Sequence, residues 1–175
     1  MLRILIVDDS AVARTLLSHV LRGGGLDVVG EARDGEEAVR MAARLRPSVI
    51  AMDVHMPGLD GLEATRRIME EAPTPIVMVT SAQPVDVARS FRAVEAGALT
   101  LLEKPGAPGS PRFAELADDL VTTVKLMADV KLVRRRRRRA SVPRSHLRLP
   151  ERRTDLVAIG SSTGGPAALA SLLKE

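Results

Sequence analysis

The chain has 175 residues, 45 % of them hydrophobic but only 1 % aromatic, with no Trp and no Tyr. A core must therefore be built from aliphatic side chains and methionine, and stacking on nucleic-acid bases is disfavoured; the absence of cysteine excludes disulfides, thiolate chemistry and cysteine-based metal sites, which fits a reducing compartment. The net charge of +4 is uneven: residues 1–133 carry 15 Lys and Arg against 19 Asp and Glu, and residues 134–175 carry 11 against 3, so the basicity belongs to a tail.

The opening stretch MLRILIVDDS is no signal peptide, because its apolar run is short and ends in two aspartates. No stretch reaches the ~20 apolar residues of a membrane span, and the chain is read as cytoplasmic. From here to about Gly106 the pattern alternates. Apolar runs at 2–9, 27–32, 47–53, 75–81 and 98–104 are rich in Val and Ile and nearly continuous, as in strands buried on both faces. Amphipathic helices are predicted between them at about 10–23, 35–45, 60–71 and 84–96, with Gly or Pro near their ends. A fifth begins near Pro111, with Phe113, Leu116, Leu120, Val124 and Met127 at helical spacing, and is expected to run on into the arginines.

Strands alternating with helices predict an α/β fold with an open, doubly wound parallel sheet. In such sheets ligands bind at the carboxyl ends of the strands. The residues predicted there are Asp8, Asp9, Asp53, Thr80, Ser81 and Lys104. Carboxylates crowded at one edge raise each other's pKa unless a cation neutralises them, and a hard divalent ion such as Mg2+ suits oxygen ligands. Lys104 and the Thr80 hydroxyl would complete a cradle for a doubly charged phosphoryl group. Singly, each residue has an ordinary explanation: Asp9 or Ser10 as a helix cap, Lys104-Pro105 as a surface turn. Their coincidence at one sheet edge does not.

VDDS (7–10), MDVHMPGLDGLE (52–63), VTSA (79–82) and EKPG (103–106) resemble, in order and spacing, the signatures of the bacterial response-regulator receiver, a flavodoxin-like domain. The resemblance covers about residues 1–125. It implies that Asp53 accepts a phosphoryl group from a histidine kinase, with Mg2+ held by Asp9, Asp53 and the backbone carbonyl of His55, and with Asp8 assisting. It further implies that Lys104 pairs with the phosphoryl oxygens and that Thr80 reports the phosphate. Ser81 is small and leaves room beside it, while Met56, Pro57, Gly58 and Gly61 shape the following loop. The His55 side chain itself reads as a surface histidine. One departure stands out: the family's usual aromatic switch, three residues before the lysine, is here Leu101.

Residues 126–153 are expected to be a helical extension and an Arg-rich linker. Six arginines in succession, Arg134 to Arg139, cannot share one helix face and read as a solvated linker; contact with nucleic-acid phosphates is the alternative. Residues 154–175 contain DLVAIGSSTGG, a strand entering a glycine turn, with Pro166 suited to a first helical position. By itself the turn could bind phosphate at a helix N-terminus or present a serine nucleophile. It resembles the opening of the catalytic domain of chemotaxis-type protein-glutamate methylesterases, where the nucleophile falls on Ser162. No histidine follows Ser162 in this sequence, so the stretch reads as the first, severed member of a triad, inactive alone. The resemblance implies glutamate methyl esters of chemoreceptors as substrates of the complete enzyme. A stand-alone receiver and an Arg-rich nucleic-acid-binding regulator are the competing readings.

Overall fold

The computed structural model describes residues 2–81 and 87–132, without the side chains of 87–89. The Ser162 turn, the arginine run and most of the expected linker therefore lie outside the described residues. Five strands, β1 (Arg3–Val7), β2 (Asp27–Ala32), β3 (Val49–Asp53), β4 (Ile76–Thr80) and β5 (Thr100–Glu103), alternate with five helices. These are α1 (Ala11–Gly23), α2 (Gly35–Leu45), α3 (Gly61–Glu71), α4 (Val87–Ala96) and α5 (Phe113–Ala128). All neighbouring strands pair in parallel, in the order β2-β1-β3-β4-β5.

The nearly continuous apolar runs have a simple cause. The two residues of each pleat feed two different cores. Leu5, Val7, Ile50, Met52, Ile76 and Met78 face a cluster completed by Ala38 and Ala42 of α2, Ala64 and Ile68 of α3, and Ala93 and Ala96 of α4. Ile4, Ile6, Val49, Val77 and Val79 face the other, completed by Leu17, Val20 and Leu21 of α1 and Leu120 and Val124 of α5. β3 and β4 are buried along their whole length, whereas the edge strand β5 is half-buried throughout. Polar caps start three of the helices: the side chains of Ser10, Asp34 and Asp60 accept from the backbone N–H of Ala13, Glu37 and Glu63. Ser10 is thus the cap of α1, which leaves the Asp9 side chain available for other work.

The predicted boundaries hold to within a few residues, except at the end of α5. That helix closes at Ala128, with Val130 N–H turning back to Met127 O at 3.2 Å, before the arginine run begins. Asp129 at its C-cap places a negative charge against the negative end of the helix dipole and does not favour continuation. Among the described residues no helix is long and apolar enough to cross a membrane.

Candidate functional site

The sheet order puts β1, β3 and β4 side by side, and their carboxyl ends carry Asp8, Asp53 and Thr80. Asp8 is fully buried, Asp53 is 5 % exposed and Thr80 is 1 % exposed. Lys104 follows β5 directly, and its backbone N–H donates to Thr80 O at 2.9 Å, tying the lysine to the end of β4. From there its Nζ lies 2.6 Å from Asp8 Oδ2 and 3.0 Å from Asp53 Oδ1. One ammonium thus bridges two buried carboxylates.

Each carboxylate also accepts a backbone hydrogen bond, Asp8 on the oxygen that faces away from Lys104 and Asp53 on the same oxygen that Lys104 meets. Asp8 Oδ1 accepts from Ser10 N–H at 3.0 Å, and Asp53 Oδ1 accepts from Val54 N–H at 2.9 Å. Asp9 is exposed, yet one oxygen from each of Asp8, Asp9 and Asp53 falls within a common 4.8 Å. Burial raises the Asp53 carboxyl above its ordinary value; Lys104 pulls it back down only in part, and Asp8 adds to the rise. Burial would lower Lys104, but its pairing with Asp8 and Asp53 outweighs that and holds the ammonium above its ordinary value.

These donors fit a hard divalent cation. All are carboxylate oxygens, they sit within chelating distance, and the buried Asp8 Oδ2 receives no protein hydrogen bond of regular geometry, only the charge of Lys104. Three negative charges against one ammonium leave the site electrically incomplete.

Of the other predicted residues, Thr80, Leu101, the exposed His55 and Asp9 line one cavity of about 370 Å3 at the carboxyl edge of the sheet, bounded by Arg92 and Ala93 of α4. Leu101 is half-buried and packs onto the α2–α4 core. Ser81 is exposed and shares a wider groove with Asp8, Asp9, Asp53 and Lys104. Ser162 lies outside the described residues.

The loop after Asp53 is held by glycines at two points. Gly58 adopts φ +75°, a left-handed conformation that glycine reaches without strain. Gly61 donates its N–H to Val54 O at 3.1 Å, and a Cβ there would collide with the main-chain oxygen of Asp53. Gly61→Ala is therefore expected to lower stability by about 2 kcal/mol or more, since backbone cannot yield as a side chain can; urea unfolding measures it, and an unchanged midpoint would contradict the close approach.

Two arginines escaped the sequence reading. Arg14 Nη1 donates to the main-chain oxygens of Asp8 at 2.8 Å and Asp9 at 3.2 Å. Arg112 joins Glu103, next to Lys104, at 2.9 Å and Glu115 of α5 at 3.5 Å, closing the loop between β5 and α5. The available signal for Arg14 was its place one turn into α1, from which a helical side chain leans back towards the N-terminus.

A doubly wound five-stranded sheet with an aspartate cluster and a lysine at its carboxyl edge defines a phosphoryl-accepting class of signalling domain. The chain belongs to the response regulator receiver domain family, whose model matches residues 4–110. It is 48 % identical over 180 aligned residues to a protein-glutamate methylesterase/protein-glutamine glutaminase of Hahella chejuensis, and 50 % identical over 180 to one of Myxococcus xanthus. The alignments cover 98 % and 99 % of this chain but 51 % of each relative, so the chain spans about half their length. Among solved structures, the response regulator domain of Thermotoga maritima CheB matches with a TM-score of 0.68 at 38 % identity, covering 75 % of this chain and 99 % of that one. The chain is thus a two-component receiver related over its length to chemotaxis methylesterases.

Proposed function

We propose that Asp53 is the phosphoryl acceptor of a histidine kinase, and that this receiver (about residues 1–125) controls a methylesterase domain beginning near residue 154. The observation that carries the first part is the buried Lys104 ammonium shared by Asp8 and Asp53, with Asp9 in chelating range. An Asp53 oxygen would attack phosphorus. The P–N bond of the donor phosphohistidine would break, its electron pair returning to the imidazole, and an acyl phosphate would form on Asp53. Asp8, Asp9, Asp53 and the backbone carbonyl of His55 would hold Mg2+, which would supply charge neutralisation for the transferring group. Lys104 is placed to follow a phosphoryl oxygen once Asp53 is esterified. The Thr80 hydroxyl, deep at the end of β4, is placed to meet another and to pass that change to the cavity lined by Leu101. Leu101 lines that cavity without a hydroxyl, so the readout would rest on packing. Ser81, small and exposed, leaves the approach open.

For the second part the support is homology at about half identity that extends through residues 154–175, with Ser162 as the nucleophile of the methylesterase domain. The proposed substrates of the complete enzyme are glutamate methyl esters of chemoreceptors, and the proposed location is the cytoplasm. With acetyl phosphate and Mg2+ the protein is expected to gain about 80 Da, one phosphoryl group. Asp53→Ala should abolish the gain. A wild-type protein that stays at its unmodified mass under these conditions refutes the acceptor assignment.

A further inference from the structure

Asp8 and Asp9 are adjacent in sequence but held by different means. The Asp8 carboxylate is fixed by Ser10 N–H and by Lys104, and its own N–H donates to Ala32 O at 3.1 Å. The Asp9 carboxylate is exposed and, among the described residues, has no hydrogen bond or ion pair to orient it. Its direction depends on its backbone. The Asp8 carbonyl belongs to the peptide plane before the Asp9 Cα, and the Asp9 carbonyl to the plane after it. Arg14 Nη1 donates to both, at 2.8 and 3.2 Å, so one guanidinium nitrogen restrains φ and ψ of Asp9 together. Arg14 is in turn steadied from β2, where Glu31 Oε2 lies 3.8 Å from its Nε, and its side chain is only 19 % exposed.

We propose that Arg14 is the positioning residue for Asp9, fixing through the main chain the one carboxylate of the acidic site that has no other anchor. The proposal rests on the reading of this site as a Mg2+-dependent phosphoryl acceptor. It makes a prediction opposite in sign to simple electrostatics. A guanidinium near a cation site repels the cation, so loss of its charge should by itself tighten Mg2+ binding. Loss of a positioning contact behind a ligand should weaken it, typically about tenfold.

The test uses the full chain and MgCl2 titrated by calorimetry, with phosphoryl gain from acetyl phosphate as a second readout. Arg14→Ala is expected to weaken Mg2+ about tenfold and to slow phosphoryl gain at low Mg2+, with recovery at high Mg2+. Arg14→Lys keeps the charge but exchanges the two N–H directions fixed on Nη1 for a freely rotating ammonium on a flexible stem; it should fall between wild type and Arg14→Ala, and it serves where the alanine variant does not fold. In an Asp9→Asn background the Arg14 substitution should cost less than about twofold, because the residue it positions no longer ligates. Unchanged or tighter Mg2+ binding in both Arg14 variants overturns the proposal, as does an equal loss with and without Asp9. A wild type that neither binds Mg2+ nor accepts phosphate refutes the acceptor reading and the inference with it; a competent wild type with indifferent Arg14 variants refutes the inference alone.

Discussion

Replacing Lys104 with methionine is expected to destabilise the receiver by about 3–5 kcal/mol in the absence of divalent ions, because it removes one partner of a buried ion cluster and leaves the others charged. Asp8 is fully buried and Asp53 nearly so, and no second cation is paired with either among the described residues. Methionine preserves the stem's volume, so the loss would be electrostatic rather than a cavity effect. The pH dependence follows from Asp53, whose carboxyl is already raised by burial and would lose the lysine that partly restrains it. The deficit should be full at neutral pH and shrink as the pH falls and Asp53 takes up a proton. Mg2+ offers a second signature. Lys104 occupies oxygens of two of the three candidate metal ligands, so the variant should bind Mg2+ more tightly than wild type and recover part of its stability in it. Urea unfolding with EDTA and with Mg2+ measures both effects. A variant as stable as wild type in EDTA, or one that Mg2+ does not rescue, would mean that the ammonium does not neutralise this cluster.

Much of this site was legible in the sequence because the fold gathers strand ends. A parallel sheet places every carboxyl terminus on one edge, so the acids of VDDS, the aspartate of MDVHMP and the lysine of EKPG meet whatever the loop details. The strands were legible for a related reason: β1, β3 and β4 feed cores on both faces and cannot alternate with polar residues. What was not legible depends on side-chain reach. Nothing in the spacing says that Lys104 bridges Asp8 and Asp53, or that Arg14 grips two carbonyls rather than projecting into solvent. Ser10 and Asp9 were both candidate caps in sequence; only the geometry gives the cap to Ser10 and leaves Asp9 to the site. The end of α5 at Ala128 was missed because the helical periodicity of Leu120, Val124 and Met127 continues in sequence to Val130, which is exposed and belongs to neither core.

Asp53→Asn should separate function from stability in opposite directions: no phosphoryl gain, and a fold more stable than wild type at neutral pH. The Asp53 carboxyl is raised in the folded protein above the ordinary 3.8, burial being the largest cause. The folded state therefore holds this proton more tightly than the unfolded chain does. Below the ordinary value both states are protonated and the group contributes nothing. As the pH climbs from there through the raised value, ionisation of the buried acid progressively weakens the fold, and above it the penalty is complete. Asparagine is nearly isosteric, can still accept from Val54 N–H and carries no charge, so the penalty disappears. Against this, Lys104 loses one of two carboxylate partners but keeps Asp8 at 2.6 Å. Its own stabilising pairing, present below its ordinary 10.5 and lost only as the pH rises through its elevated folded value, is reduced rather than removed. The net expectation is a gain of about 1 kcal/mol, roughly 3–5 °C in Tm for a domain of this size. The gain should narrow as the pH is lowered through the raised Asp53 value, where wild type regains its proton. Thermal unfolding across pH checks this, and a variant that is less stable than wild type at pH 7, or equally stabilised at every pH, would show that burial of the acceptor's charge is not what strains the site. The same raised pKa describes an acceptor whose negative charge is poorly solvated and close to cations. On the proposed reading, esterification by phosphate would put a dianion where one carboxylate charge stood, next to Lys104 and the proposed cation site, and that change of charge would be what the rest of the receiver has to register.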